Sequence, residues 1–170
     1  MISEISGKMF AFKNYGIAPD VMTLAKALGG GLPIGAMVAS KKFADILKPG
    51  MHASTFGGSP VVCSASLAVF EAIQKEKLLS NTVKMGGYLL EKLDELKKKK
   101  PVIKEIRGKG LMLGVELTIP GKEIVEKCLK EGLLINCTQD TVLRIMPSMT
   151  VSKSEIDKAV SILDKVFAKV

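Results

Sequence analysis

Tryptophan is absent, histidine occurs once, and aromatic residues make up only 5% of the 170-residue chain. So few rings leave no platform on which successive nucleic-acid bases could stack. The lone His52 and the lack of any Cys-x-x-Cys pair exclude the usual nitrogen- and sulfur-ligated metal centres. Cys63, Cys128 and Cys137 are odd in number, widely spaced and set among apolar residues. They read as reduced core thiols of a cytoplasmic protein, not as a disulfide framework. No apolar run approaches the ~20 residues of a membrane-spanning helix. Met1-Ile2-Ser3-Glu4 has neither the basic start nor the apolar core of a signal peptide. Low-complexity linkers and internal repeats are also missing.

Acidic residues are in the minority, 17 against 25 lysines and arginines, for a net charge of +8. The densest basic run, Lys97-Lys98-Lys99-Lys100, stands just before Pro101. There it reads as a solvated helix end complementing the negative helix terminus. It predicts no nucleic-acid partner. A hydrophobic content of 47% and a length at which roughly 70% of the unfolded surface is buried suffice for one core or two small lobes.

Two segments carry chemistry. In Val21-Met22-Thr23-Leu24-Ala25-Lys26-Ala27-Leu28-Gly29-Gly30-Gly31-Leu32-Pro33, a short apolar run reads as a buried strand with a lysine at its end. Three glycines then let the backbone bend sharply and approach a ligand. An amine held against apolar residues is pushed towards its neutral, nucleophilic form, as a Schiff base with an aldehyde cofactor requires. By pattern alone, most lysines after a strand are simply solvated. The second segment runs from Pro49 through Ser54-Thr55-Phe56-Gly57-Gly58-Ser59-Pro60 into a long apolar helix, with Ser59 at the N-cap and Pro60 at the first helical position. Hydroxyls and flexible backbone before a helix N-terminus form an anion site; the plainer reading is a capped helix after a glycine turn. His52 either reaches the rim of such a site or makes a structural loop hydrogen bond.

In this order, Thr23-Leu24-Ala25-Lys26-Ala27-Leu28-Gly29-Gly30-Gly31, then Pro33-Ile34-Gly35-Ala36-Met37, and Ser54-Thr55-Phe56-Gly57-Gly58 before Pro60 resemble the fold-type I, class III pyridoxal-phosphate aminotransferases. The wording is most similar to the acetylornithine aminotransferase branch; ornithine aminotransferases commonly have tyrosine where Phe56 stands. The resemblance continues through Arg107-Gly108-Lys109-Gly110-Leu111-Met112-Leu113-Gly114-Val115-Glu116-Leu117 and Val142-Leu143-Arg144-Ile145-Met146-Pro147. It implies that Lys26 carries pyridoxal 5'-phosphate and shuttles a proton, and that Thr55 donates to the cofactor phosphate across a homodimer interface. It places Ser54 beside the substrate and pairs Arg144 with the substrate α-carboxylate, where a planar fork matches two oxygens. From pattern alone, Arg144 would pair with a neighbouring carboxylate or snorkel to the sheet edge.

The family's Asp-Glu-x-Gln motif, whose Asp pairs with the pyridinium nitrogen, does not occur in these residues, nor do its first phosphate loop and ring-stacking aromatic. The resemblance therefore implies an α/β fold forming the C-terminal part of a fold-type I transferase. Residues 1–77 would be a remnant of the large cofactor domain with the Schiff-base lysine, and residues 78–170 the small C-terminal α/β domain. Three functions follow as expectations. One is amino transfer between N-acetylornithine and 2-oxoglutarate, in arginine biosynthesis. Another is a sibling specificity for ornithine, succinyl-diaminopimelate or 4-aminobutyrate. The third is a non-catalytic fragment or interaction subunit needing a complementary N-terminal chain. By itself the 170-residue chain is not expected to complete a transamination.

Hydrophobic spacing predicts buried strands at Val21–Ala25 and Gly35–Ala39, a short helix over Lys41–Leu47 and a buried helix over Pro60–Lys77. Leu79, Val83, Leu90, Leu93 and Leu96 predict an amphipathic helix ending at Pro101, with Gly86-Gly87 a weak point. Strands are expected at Leu111–Leu117, Leu133–Asn136 and Val142–Ile145, and helices at Lys122–Glu131 and after the capping box Ser152-Lys153-Ser154-Glu155. Asp20 and Arg107 read as turn residues.

Overall fold

A computed structural model describes residues 4–43 and 45–169. The chain divides into two compact units, one mainly Lys8–Leu78, the other Ile5–Gly7 with the chain from Leu79 onward.

The first unit contains an antiparallel pair, β1 (Val21–Leu24) and β2 (Ala36–Ala39), and helix α1 (Pro60–Lys75). Both strands form where β-branched and apolar residues predict them, but β2 is exposed along its whole length. Along α1 only Ser66 and Ile73 are buried, although its sequence is apolar nearly all round. The expectation of buried elements fails for a physical reason: a two-stranded ladder and one helix have too few faces to cover each other. A small cluster of Leu24 and Leu28, backed by Phe10, Met22, Ile34 and Phe70, holds the unit together. The helix expected over Lys41–Leu47 is one 3-10 turn, Lys41–Phe43; Ala44 lies outside the described residues. Asp20 precedes β1 as a turn residue, and its carboxylate pairs with Lys42 at 2.6 Å.

The second unit is a four-stranded antiparallel sheet of order β3-β4-β6-β5, built from β3 (Ile103–Lys109), β4 (Met112–Leu117), β5 (Asn136–Thr138) and β6 (Val142–Ile145). Its core collects Leu113, Val115, Leu117 and Leu143 with residues of α2 (Leu78–Lys99), α3 (Lys122–Lys130) and α4 (Lys153–Phe167). Along α2 the buried positions Thr82, Met85, Gly86, Leu89, Leu93 and Leu96 follow helical spacing. Ser152 caps α4 reciprocally: its Oγ accepts from the Glu155 amide at 3.3 Å, and its own amide donates to Glu155 Oε2 at 2.8 Å. That arrangement holds the Glu155 carboxyl below its ordinary value, the Ser152 hydroxyl contributing most.

Two expectations are corrected. Arg107 lies in β3, not in a turn; a register shift between Ile103 and Glu105 breaks the period-two alternation and hides the strand. Leu133–Ile135 is not strand either. Gly132 stops α3 with φ +85°, and the Leu133 amide donates back to the Cys128 carbonyl at 2.9 Å, so pairing starts only at Asn136. Burial pushes the Cys128 thiol up to about 11, that of an inert core cysteine.

The glycine pair within α2 splits into opposite roles. A Cβ on Gly86 would stand 2.5 Å from the backbone carbonyl of Gly110, whereas one on Gly87 would meet nothing within 4 Å. Gly86→Ala is therefore expected to destabilise the second unit by about 1–3 kcal/mol or more. Gly87→Ala is expected to stabilise it by about 0.5–1 kcal/mol. Urea unfolding of the two variants beside the parent chain checks both signs.

Candidate functional site

In the first unit, β1 ends at Leu24 and Ala25 stays extended at φ −164°. Lys26 then turns to φ +59°, opening the 3-10 turn Lys26–Gly29. Left-handed backbone at a side chain with a Cβ costs of order 1 kcal/mol. The turn is fastened by Leu28 N–H to Ala25 O at 3.3 Å, Gly30 N–H to Ala27 O and Leu32 N–H to Gly29 O, both at 3.1 Å. Leu28 and Gly29 are buried while Lys26 is exposed. Enclosure of the amine among apolar side chains is thus not what these residues provide. Gly30 at φ +60° and Gly31 at φ +113° supply the bend expected of the glycines, and Lys26 adds a left-handed residue that has no mark in the sequence.

The Ser54–Ser59 loop leads into α1. Ser59 occupies the N-cap and Pro60 the first helical position as expected, but the Ser59 side chain makes no capping bond. The first-turn amides of Val61 and Val62 therefore remain available at the positive end of the helix dipole. Gly57 lets the loop fold onto Ser54, since a Cβ there would lie 2.9 Å from Ser54 Cβ. An open cavity of about 610 Å³ is lined by Pro33, Ile34, His52, Ser54, Phe56 and Gly58, among others. The cavity brings Ser54 and His52 together; Lys26 and Thr55 are outside its lining, and both are exposed.

Arg144 belongs to the second unit. On β6 it stands opposite Gly114 of β4 on one side and Asn136 of β5 on the other. Arg107 of β3 continues the row opposite Gly114. Directly opposed residues share a face, so two arginines flank a position with no side chain. Their surroundings differ. Arg107 bridges Glu105 at 3.1 Å and also contacts Glu116. Glu116 is held below its ordinary value by Lys104 and then Arg107. Arg144 donates from Nε to the Asn136 amide oxygen at 3.1 Å and is exposed. Among the described residues no carboxylate pairs with it. Its partner is a neutral amide, where the plain sequence reading expected a neighbouring carboxylate or a side chain snorkelling to the sheet edge. The exposed guanidinium leaves a two-donor edge free for a carboxylate ligand. Asn136 was missed because its short strand was placed three residues early.

Among the described residues, no group of His, Cys, Asp and Glu could hold a metal ion, and no helix is long and apolar enough to cross a membrane.

A family model described as aminotransferase class-III matches residues 4–167. An acetylornithine aminotransferase of Methanocaldococcus jannaschii is 49% identical over 97% of this chain and 42% of its own length. One of Caldanaerobacter subterraneus is 50% identical with the same two coverages. The chain thus spans less than half the length of the curated relatives it matches. A solved ornithine aminotransferase of Toxoplasma gondii, described with partial pyridoxal-phosphate occupancy at its active site, superposes with a TM-score of 0.92. It is 32% identical, and the match covers 98% of this chain and 40% of that one.

Proposed function

The chain belongs to the class III aminotransferases, and on that footing we propose that it supplies the cofactor-anchoring lysine and one carboxylate-binding arginine of a pyridoxal-phosphate transaminase. The observation that carries this reading is Lys26, a left-handed residue on a fastened turn with its amine exposed. Residues 1–77 then form part of the cofactor domain and residues 78–170 the small domain.

The residues present fit pyridoxal phosphate by their chemistry. Lys26 offers an amine to its aldehyde, and Thr55 with the Val61 and Val62 amides offers donors to its phosphate. When bound, the cofactor supplies the electron sink that stabilises a carbanion at the substrate carbon. With the cofactor in place, Lys26 Nζ would be the group that holds the proton removed from that carbon. Ser54 borders the substrate, and Arg144 grips its α-carboxylate in a fork set by the Nε bond to Asn136. The identities of 49% and 50% to acetylornithine aminotransferases support N-acetylornithine as amino donor; in this reading 2-oxoglutarate is the acceptor, and the reaction serves arginine biosynthesis in the cytoplasm. Thr55 acts across a homodimer interface in this reading.

The likeness to an ornithine aminotransferase supports a second specificity, for ornithine.

Incubation with pyridoxal phosphate, borohydride reduction and peptide mapping should label Lys26 ahead of the other lysines. An even spread over the surface lysines would remove the claim. In an active assembly, Arg144→Ala is expected to raise KM for substrate and acceptor by roughly 10- to 100-fold, the loss of a charged hydrogen-bond pair. The change in kcat should be smaller, and initial rates at varied substrate would read the split.

A further inference from the structure

The turn that holds Lys26 is tied to α1 at one buried polar point. Ser66 Oγ donates to the Leu28 carbonyl at 2.8 Å, across 38 residues of sequence. Ser66 is 8% exposed and Leu28 3%. The neighbouring carbonyls of Ala25, Ala27 and Gly29 each accept a backbone N–H, whereas that of Leu28 accepts the serine hydroxyl. One turn further along α1, Val69 closes on the same loop: its Cγ2 would lie 3.1 Å from a Cβ on Gly30. Helix α1 starts directly after the Ser54–Ser59 loop, so one rigid element connects that loop with the lysine turn.

We propose that Ser66 is a positioning residue that acts through the Leu28 carbonyl to keep the turn closed and Lys26 left-handed. The proposal rests on the reading of Lys26 as the cofactor-anchoring lysine. A residue with a Cβ stays left-handed only where its surroundings over-determine it. Without the hydroxyl, the Leu28 carbonyl is buried with no donor, an arrangement native backbones avoid. The turn then opens to reach water, Lys26 returns to negative φ, and its amine leaves the direction the turn imposes.

The test compares the full chain with Ser66→Ala and with Ser66→Thr, which keeps a hydroxyl. Two readouts are used. One is amide hydrogen exchange at Leu28, Gly30 and Leu32. The other is the share of pyridoxal-phosphate label trapped on Lys26 relative to Lys41 and Lys42 of the same unit. In the alanine variant, exchange in the turn should rise at least tenfold and the Lys26 share fall at least threefold, with Lys41 and Lys42 unchanged. Threonine should restore both. Unchanged exchange would overturn the tie, and faster exchange with an unchanged Lys26 share would overturn the positioning role. Loss of protection along all of α1, not rescued by threonine, would assign Ser66 to general packing. Failure of the parent chain to label Lys26 preferentially would defeat the lysine reading instead, while exchange still reports on the tie.

Discussion

Lys26→Ala is expected to abolish amino transfer by any active assembly containing this chain, by a factor of at least ~10²–10⁴, the usual worth of a positioned acid–base group. Loss of the covalent hold on the cofactor adds to that loss. The left-handed backbone supplies a sharper comparison, because Lys26 lies at φ +59°. Lys26→Gly removes the amine but suits that conformation, so it should preserve or raise the stability of the turn, by up to ~1 kcal/mol. Lys26→Ala removes the amine and keeps the strain. Both variants should therefore be inactive while differing in thermal stability, which steady-state rates and melting curves would record. Turnover in either variant would pass the covalent role to another lysine. The 170-residue chain by itself should show little or no turnover of N-acetylornithine with 2-oxoglutarate, and efficient turnover by it would mean that another residue supports the electron sink.

The second large effect concerns stability along the chain. The unit from Leu79 onward packs Leu89, Leu93, Leu111, Leu117, Ile124, Leu143, Ile156 and Leu163 with almost no exposure. The unit of Lys8–Leu78 leaves Met37 56%, Phe56 83%, Val61 67% and Leu67 65% exposed. Apolar area removed from water is worth roughly 25 cal/mol per Å², so the two units differ widely in what holds them. Amide exchange should approach the global unfolding free energy, ~5–15 kcal/mol, in α2, β4, β6 and α4. It should lie near the unprotected limit in β2 and at the start of α1. Exposed strands and helix faces of this kind also promote association, and sedimentation should show oligomers at micromolar concentration. Uniform protection in a monodisperse monomer would contradict both expectations.

Much of this architecture was legible because its signals are local. The Ser152–Glu155 box and the proline that opens α1 both act within a few residues. What stayed hidden depends on distant partners. The charged alternation of β3 makes sense only against β4 and across a register shift. The exposure of β2 and α1 follows from the lack of covering elements among the described residues, which composition does not register. At the site, the residue types could be listed in advance, but three features could not be foreseen: the left-handed lysine, the Ser66 tie to Leu28 and the Asn136 support of Arg144. The last two are relations between residues of separate elements, and the first is a backbone conformation that the lysine's identity does not announce.

Ile5–Gly7 belongs with the second unit although some seventy residues of the first intervene. The Leu111 amide donates to the Ile5 carbonyl at 2.8 Å, and a Cβ on Gly7 would lie 2.6 Å from Val83 Cγ2. In the chain, Lys8–Leu78 is therefore a loop between two segments that one clasp within the second unit joins. Closing a loop of ~70 residues costs roughly 4 kcal/mol beyond a constant, and the clasp bears that cost whether or not the loop is folded. On a ribosome, Ile5 has to wait until Leu111 emerges before the clasp can shut. Once it has shut, the loop can melt and re-form while the rest of the molecule keeps hold of both its ends.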